Sequence, residues 1–464
     1  MLSILSAALI SSAPIEPTPI DRAIEAIAPQ RVVVGDEPPL RDIYEMMAEL
    51  NVPAVSIALF DDNEIIAARS FGWADPAGRV PAHLDTRFQA ASLSKSVAAY
   101  GVMALAEAGE VDLDQPVNAR LEGWQLDEGE YAPATLRTLL SHRAGTSVPG
   151  FEGYADAAAM PDTLGVLKGE GNSPVVRIDK TPGDYSYSGG GYTVAQLLVE
   201  EAERQSFEDV MARMVLMPLG MDHSSFDMPP RGPRSTLALA HDENGRPIAD
   251  GYHLYPETAA ASLWTTPSDM ARFLITMNRS LAGETGAPVS PEGARMLIAP
   301  PAEGANYALG FGIEGEGDAL RFSHTGSNAG YKALMVSYPE RGEGVVIMTN
   351  GDRGWTLFDA LARAVGLEMG WPGYEQERLV RAEATPETLG AVAGGYKLGE
   401  RIFRFSVDGD GLLLTDPEGE TAPGILIEED RLYLPESDQL VDIVRGEDGT
   451  VTGLSAGSTV LPKQ

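Results

Sequence analysis

Two groups of strand-like runs lie far apart in this chain with a long helical stretch between them, and that spacing limits the folds open to it. Residues 52–60 and 65–71 are apolar, β-branched runs joined by Asp61-Asp62-Asn63-Glu64, which reads as a hairpin. From about 111 to 278 helical periods and loops take over. Strand character returns in 307–313, 320–323, 331–338 and 344–349, with a turn at 339–343, and 355–369 has an amphipathic helical period. Strands on both sides of a helical middle imply one mixed sheet closed by the later strands, an α/β chain of the α+β type. A run of βαβ units would alternate instead.

The flanks differ in texture. Residues 16–39 are proline-rich and read as a partly loose extension with a short helical piece at 21–27; 40–50 reads as a helix. After 372–386 the chain turns to short strands at close spacing with Asp-Gly turns: 394–398, 402–407, 411–414, 425–427, 432–434, 441–444 and 451–454. That is the pattern of a small β-sandwich or barrel. The expected division is a signal-like 1–13, an extension 14–39, a main domain 40–371, a linker 372–386 and a β-domain 387–464. The opening apolar run is too short to span a bilayer, which needs about 20 apolar residues, and suits export, although it lacks a preceding Lys or Arg and Pro14 follows it. A periplasmic or secreted location is expected, a cytoplasmic one otherwise.

With a formal charge of −34 the chain is a poor partner for nucleic acid or anionic lipid. Cysteine is absent, which excludes a disulfide scaffold and a thiol nucleophile. The six histidines form no ligand-spaced pair, so neither a metal nor another cofactor is expected.

The chemistry concentrates in three places. Ser92-Leu93-Ser94-Lys95 precedes a helical run in which Val97, Gly101, Leu105 and Ala108 recur on one face and Gly109 stops it. A helix starting near Ser92 brings Lys95 one turn on, to the same side as the hydroxyl, and sets that hydroxyl at the positive end of the helix dipole. An alcohol needs such a neighbouring base to become a nucleophile. The second place is the glycine-rich stretch 182–192, where Tyr187 can donate or accept a proton beside Gly189. The third is His324-Thr325-Gly326-Ser327, a strand end offering an imidazole, a hydroxyl and a backbone N–H together. Each alone also reads as ordinary structure: a helix cap, a turn, a strand end. Gly453-Leu454-Ser455-Ala456-Gly457 imitates a hydrolase elbow, but neither acid nor histidine follows it.

Taken in order, the three stretches resemble the serine β-lactamase, penicillin-binding protein and related (family VIII-like) esterase superfamily, in which Ser-x-x-Lys, Tyr-x-Asn and Lys/His-x-Gly follow one another. Residues 135–145, 259–273 and 331–350 are similar to phrases of the same superfamily, and the likeness runs from about 40 to 369. It implies a mainly antiparallel sheet flanked by helices, with a helical subdomain, and likens the C-terminal module to an appended lipocalin-like barrel. It further implies that Ser92 is the acylated nucleophile, Lys95 its base partner and Tyr187 a proton relay. His324, Thr325 and Gly326 would line the substrate channel, with the N–H groups of Ser92 and Ser327 as oxyanion hole.

Two departures bear on substrate. Gly189 stands where the pattern has Asn, so the amide that would hold an acyl side chain is missing, and His324 replaces the more familiar lysine. An unperturbed imidazole, pKa about 6.5, is mostly neutral at pH 7 and attracts a carboxylate weakly. Either Lys95 or Tyr187 could be the general base; for the lysine, half neutrality at pH 7 needs a fall of about 3.4 pH units from its reference value. The expectation is a serine hydrolase of esters, amides or peptides, with a β-lactamase or D-alanyl peptidase as one alternative and an idle cell-wall-peptide binder as another. Its partner is then a small-molecule or peptide substrate, with no nucleic acid and no membrane span; the oligomeric state stays open. His142, before a glycine turn, reads as a local packing or hydrogen-bonding residue, His241 and His253 as residues that could touch the cleft, and Trp264, Tyr252 and Tyr255 as pocket wall or core.

Overall fold

Ala54–Asp61 and Glu64–Asp75 pair antiparallel around a turn in which Asp62 and Asn63 take the left-handed backbone (φ 49° and 56°), a conformation their short polar side chains tolerate. The computed structural model describes residues 16–428, 430–457 and 459–464; the signal-like stretch 1–13 lies outside them. Ala54–Asp61 is buried through its first seven residues because it is central and covered on both faces, which is why it reads as an unbroken apolar run. The seven strands lie in the order Val80–Pro81, Glu64–Asp75, Ala54–Asp61, Glu343–Thr349, Tyr331–Tyr338, Arg321–Asn328, Gly312–Glu314, every neighbouring pair antiparallel.

One face carries Val55, Ile57, Leu59, Val345 and Ile347 against Ile43, Met46, Leu357, Phe358 and Leu361 of the flanking helices. The other carries Ala54, Ala58, Phe60, Val346 and Met348 against the helix Leu93–Glu107 and the helical insertion. Leu93–Glu107 is buried at every residue from Leu93 to Leu105. It is therefore a central helix enclosed all round, not the one-faced amphipathic helix its spacing suggests. Residues 307–311, expected as strand, are irregular; the strand there is only Gly312–Glu314.

Eight consecutive strands from Gly394–Leu398 to Thr459–Pro462 form an antiparallel meander. A bridge between Tyr396 and Lys463 and the bond from Gln464 N–H to Gly395 O (2.9 Å) join its two edges into a barrel. A helix that the sequence reading did not anticipate, Pro386–Val392, buries Leu389 and Val392 among Tyr396, Phe405, Leu412 and Leu432.

The extension is not loose where it was expected to be. Arg31–Val33 pairs in parallel with Glu377–Leu379. The Asp438 carboxylate of the barrel accepts the N–H groups of Gln30 (2.5 Å) and Arg31 (3.2 Å), and the Tyr433 hydroxyl donates to Arg31 O (2.9 Å). The extension thus stitches the linker to the barrel. Among the described residues no helix is long and apolar enough to cross a membrane.

Candidate active site

Ser92 is the N-cap of Leu93–Glu107, yet its side chain makes no capping bond. The hydroxyl is thereby left for Lys95, whose Nζ donates to Ser92 Oγ at 3.0 Å. The residue before it, Ala91, is held at φ 50°, a left-handed conformation that costs an L-residue on the order of 1–2 kcal/mol. Neighbouring bonds hold the turn: Ala90 N–H to Leu263 O (2.8 Å) and Leu93 N–H to Ala90 O (3.1 Å).

Lys95 is 3 % exposed. Its Nζ also donates to Ala260 O at 2.8 Å, at the short helix Thr258–Ala261, and stands 5.1 Å and 5.7 Å from the ring centres of Tyr187 and Tyr192. All of these partners are neutral. Burial, which disfavours the ammonium, pushes the pKa down to about 7. About half of the molecules then carry a free amine at neutral pH.

Tyr187 behaves in the opposite sense. Burial pushes its hydroxyl up to about 12, opposed in part by a hydrogen bond with Ser92. It is a phenol at neutral pH, fit to relay a proton but not to act as the resting base. Lys95 is the group with a lone pair to offer.

His142 grips the Tyr187 segment on both sides of the phenol. Its carbonyl accepts Ser186 N–H (2.8 Å) and its Nδ1 accepts Ser188 N–H (3.1 Å). The imidazole lies 4.2 Å from the Tyr187 ring, centre to centre. His142 takes φ 57° just after the helical turn Leu136–Leu140. Burial, then Lys95 and His324, hold it neutral, well below the ordinary range. With Nδ1 accepting, the proton sits on Nε2, which is buried without a partner. Sequence reasoning gave this residue a local packing or hydrogen-bonding role without its partners. It missed Tyr307, which donates to His324 Nε2 (3.0 Å); its run of apolar residues carried no signal beyond strand.

The strand Arg321–Asn328 is paired on one side by Gly312–Glu314 only as far as Ser323, so its second half is free to meet the Ser92 helix. Gly326 permits that contact: a Cβ there would lie 2.3 Å from Ala90 O. Thr325 and Ser327 are exposed, whereas His324 and Gly326 are buried. His324 is therefore a backing group and not an open channel wall. Its Nδ1–H reaches Thr325 O (2.6 Å), and burial, with Lys95 nearby, lowers its pKa to about 4.

Gly189 is buried as the first residue of the helix Gly189–Glu203, with Ser188 as N-cap. Its N–H is already given to Pro149 O (3.2 Å), so it offers no oxyanion donor. Asn328 next to Ser327 ties the walls together: its Nδ2 donates to Gln89 Oε1 (2.6 Å) and Ala261 O (3.0 Å), while Gln89 Nε2 donates to His253 O (2.7 Å). Trp264 and Tyr255 are core residues, and His241 is buried with Nδ1 at Asn350 O (3.2 Å).

A cavity of about 690 Å³ opens at the other end of the Ser92 helix, lined by Glu107, Glu110, Asp112 and Glu292. Fifteen helical residues put it roughly 22 Å from the serine, and it brings together no nucleophile and base. Among the described residues no group of His, Cys, Asp or Glu is arranged to hold a metal ion.

The profile of the family described as Beta-lactamase matches residues 41–368. Penicillin-binding protein 4 of Amycolatopsis lactamdurans is 26 % identical over 381 residues, 76 % of this chain and 95 % of that protein. Penicillin-binding protein 4* of Bacillus subtilis is 22 % identical over 347 residues, 70 % and 74 % of the two chains. Among solved structures, the octameric penicillin-binding protein homologue from Pyrococcus abyssi matches with TM-score 0.62 at 23 % identity, over 91 % of this chain and 98 % of that one. D-amino acid amidase from Ochrobactrum anthropi, complexed with L-phenylalanine, matches with TM-score 0.58 at 21 % identity, over 70 % and 98 %.

Proposed function

This chain belongs to the Beta-lactamase family, and from that premise we propose that it is a serine acyl hydrolase working through a Ser92 acyl-enzyme on uncharged esters and amides. The observation that carries the reading is the 3.0 Å contact between Ser92 Oγ and the amine of Lys95, which burial holds at a pKa of about 7. Ser92 Oγ attacks the carbonyl carbon while its proton passes to Lys95. The tetrahedral oxyanion lies toward the N–H groups of Ser92 and Ser327; such a hole is worth about 3–4 kcal/mol. As the C–O or C–N bond breaks, the Tyr187 phenol protonates the leaving group and is reprotonated by the Lys95 ammonium. Water then attacks the ester carbonyl, its proton passing through the same pair, and Ser92 is released.

His324 decides the charge preference. It is neutral, and both its nitrogens are engaged, with Thr325 O and the Tyr307 hydroxyl. A substrate carboxylate meets no cation there, which favours neutral esters and amides over penicillins and peptides ending in D-alanine. The test is competition against fluorophosphonate labelling by p-nitrophenyl acetate, benzylpenicillin and a D-alanyl-D-alanine peptide. Protection by the ester alone supports the reading; protection by the two carboxylates and not by the ester overturns it.

A further inference from the structure

A ring that no sequence motif announces fills the place of the residue-189 side chain, which the family resemblance sets against the acyl chain. Ser188 is extended (φ −145°, ψ 117°). In extended backbone, residues on either side of such a position project to the same face, so a side chain at 189 would point the way Tyr187 does, toward Ser92. Residue 189 is glycine, and the space is taken: a Cβ there would lie 2.6 Å from Cε2 of Phe151 and 3.3 Å from its Cδ2. An aromatic edge thus stands beside the proton relay in the volume that a residue-189 side chain would fill.

The segment bearing Phe151 is fixed at both ends. Pro149 O accepts Gly189 N–H (3.2 Å), Val148 O accepts Gly190 N–H (3.0 Å) and Ser147 O accepts the Ser188 hydroxyl (2.6 Å). On its far side, Tyr154 and Leu254 exchange two backbone bonds of 2.8 Å, and Glu152 O meets His253 Nδ1 at 2.9 Å. Gln89, three residues before the nucleophile, holds His253 through its carbonyl. The ring is only partly buried.

The geometry points to Phe151 as the residue that selects an apolar acyl chain, so that the hydrolase reading above, on which this rests, narrows to alkanoyl and arylalkanoyl esters or amides over acylamino ones. A phenyl edge offers no hydrogen bond. An amide placed against it loses its water without replacement, an outcome that disfavours binding strongly, whereas each methylene laid on it is removed from water at a gain.

Two p-nitrophenyl esters of equal chain length test this: the pentanoate and the N-acetylglycinate, which differ by an internal amide, with the acetate as short reference and all rates divided by the uncatalysed ones. For the wild type, kcat/KM rises on the order of threefold per methylene from acetate to pentanoate and favours pentanoate over N-acetylglycinate. Phe151→Ala collapses the chain-length gain. Phe151→Leu, which keeps the site apolar and the loop filled, retains most of it. Phe151→Ala combined with Gly189→Asn, where the vacated space admits the amide side chain, reverses the order of the two esters. A wild type that forms the Ser92 acyl-enzyme but shows no chain-length gain, or a folded Phe151→Ala that keeps it, overturns the inference and leaves the hydrolase reading standing. Failure of every ester to acylate Ser92 overturns the hydrolase reading itself.

Discussion

Replacing Lys95 with methionine removes the proposed base and should leave a more stable protein. The lysine is buried and its pKa falls from 10.5 to about 7. At about 1.4 kcal/mol per pH unit, that difference is a handicap of about 4 kcal/mol to folding at pH 7. The sign follows from proton counting. Between the two pKa values the unfolded chain binds more protons than the folded one, so stability rises with pH from about 7 toward 10.5; below 7 the full handicap is present. Methionine fills a similar unbranched volume without charge, at the loss of the bond to Ala260 O, about 1–3 kcal/mol. The net gain expected at pH 7 is about 1–3 kcal/mol, shrinking as pH rises toward 10. Urea unfolding of wild type and Lys95→Met at pH 6.5, 7.5 and 9 measures it, with loss of Ser92 labelling as companion readout. A variant less stable at every pH, or a gap that widens with pH, would refute the claim that desolvation sets the state of this amine.

Three further outcomes follow from the same geometry. The rate of Ser92 acylation should rise about tenfold from pH 6 to pH 8 and then level off, following the free amine of Lys95; a slope still unbroken at pH 9 indicates an unshifted lysine. His142→Leu removes the acceptor for Ser188 N–H and should lower kcat for esters at least tenfold, with little change in KM, because Tyr187 loses its alignment. His142→Asn, whose amide oxygen can replace Nδ1, should restore most of that rate, and equal losses in the two variants would contradict the positioning role. Glu257 is fully buried with neither carboxylate oxygen bonded, and burial raises its pKa to about 7. The stability this protonated acid allows is complete below about 4.5 and lost as pH rises through 7, so Glu257→Gln should gain on wild type by about 1–3 kcal/mol between pH 5 and pH 8 in denaturant unfolding; parallel pH profiles would count against it.

The fold was legible where apolar patterning is strict. The central strand Ala54–Asp61, the hairpin at Asp62-Asn63 and the late strands Tyr331–Tyr338 and Glu343–Thr349 owe their form to burial on known faces, and burial leaves a pattern. Ser92 and Lys95 were legible as neighbours because one helical turn fixes their spacing whatever surrounds them. What was hidden depends on contacts between distant segments. The sequence of the Ser92 helix cannot reveal that it is enclosed all round, and nothing local marks Arg31–Val33 as a partner of Glu377–Leu379. His142 looks like any histidine before a glycine turn; its grip on Ser186 and Ser188 exists only once residues more than forty positions apart meet. Gly189 was visible as a departure, but the ring of Phe151 filling its place was not.

Everything functional here rests on Ser92 being the one hydroxyl that a free amine activates. Treating the protein with a fluorophosphonate at pH 8, then digesting and mapping the adduct by mass, tests that most directly. The expected result is a single phosphonyl group on the peptide containing Ser92, lost in Ser92→Ala. An adduct on any other residue, or one that persists in Ser92→Ala, contradicts it.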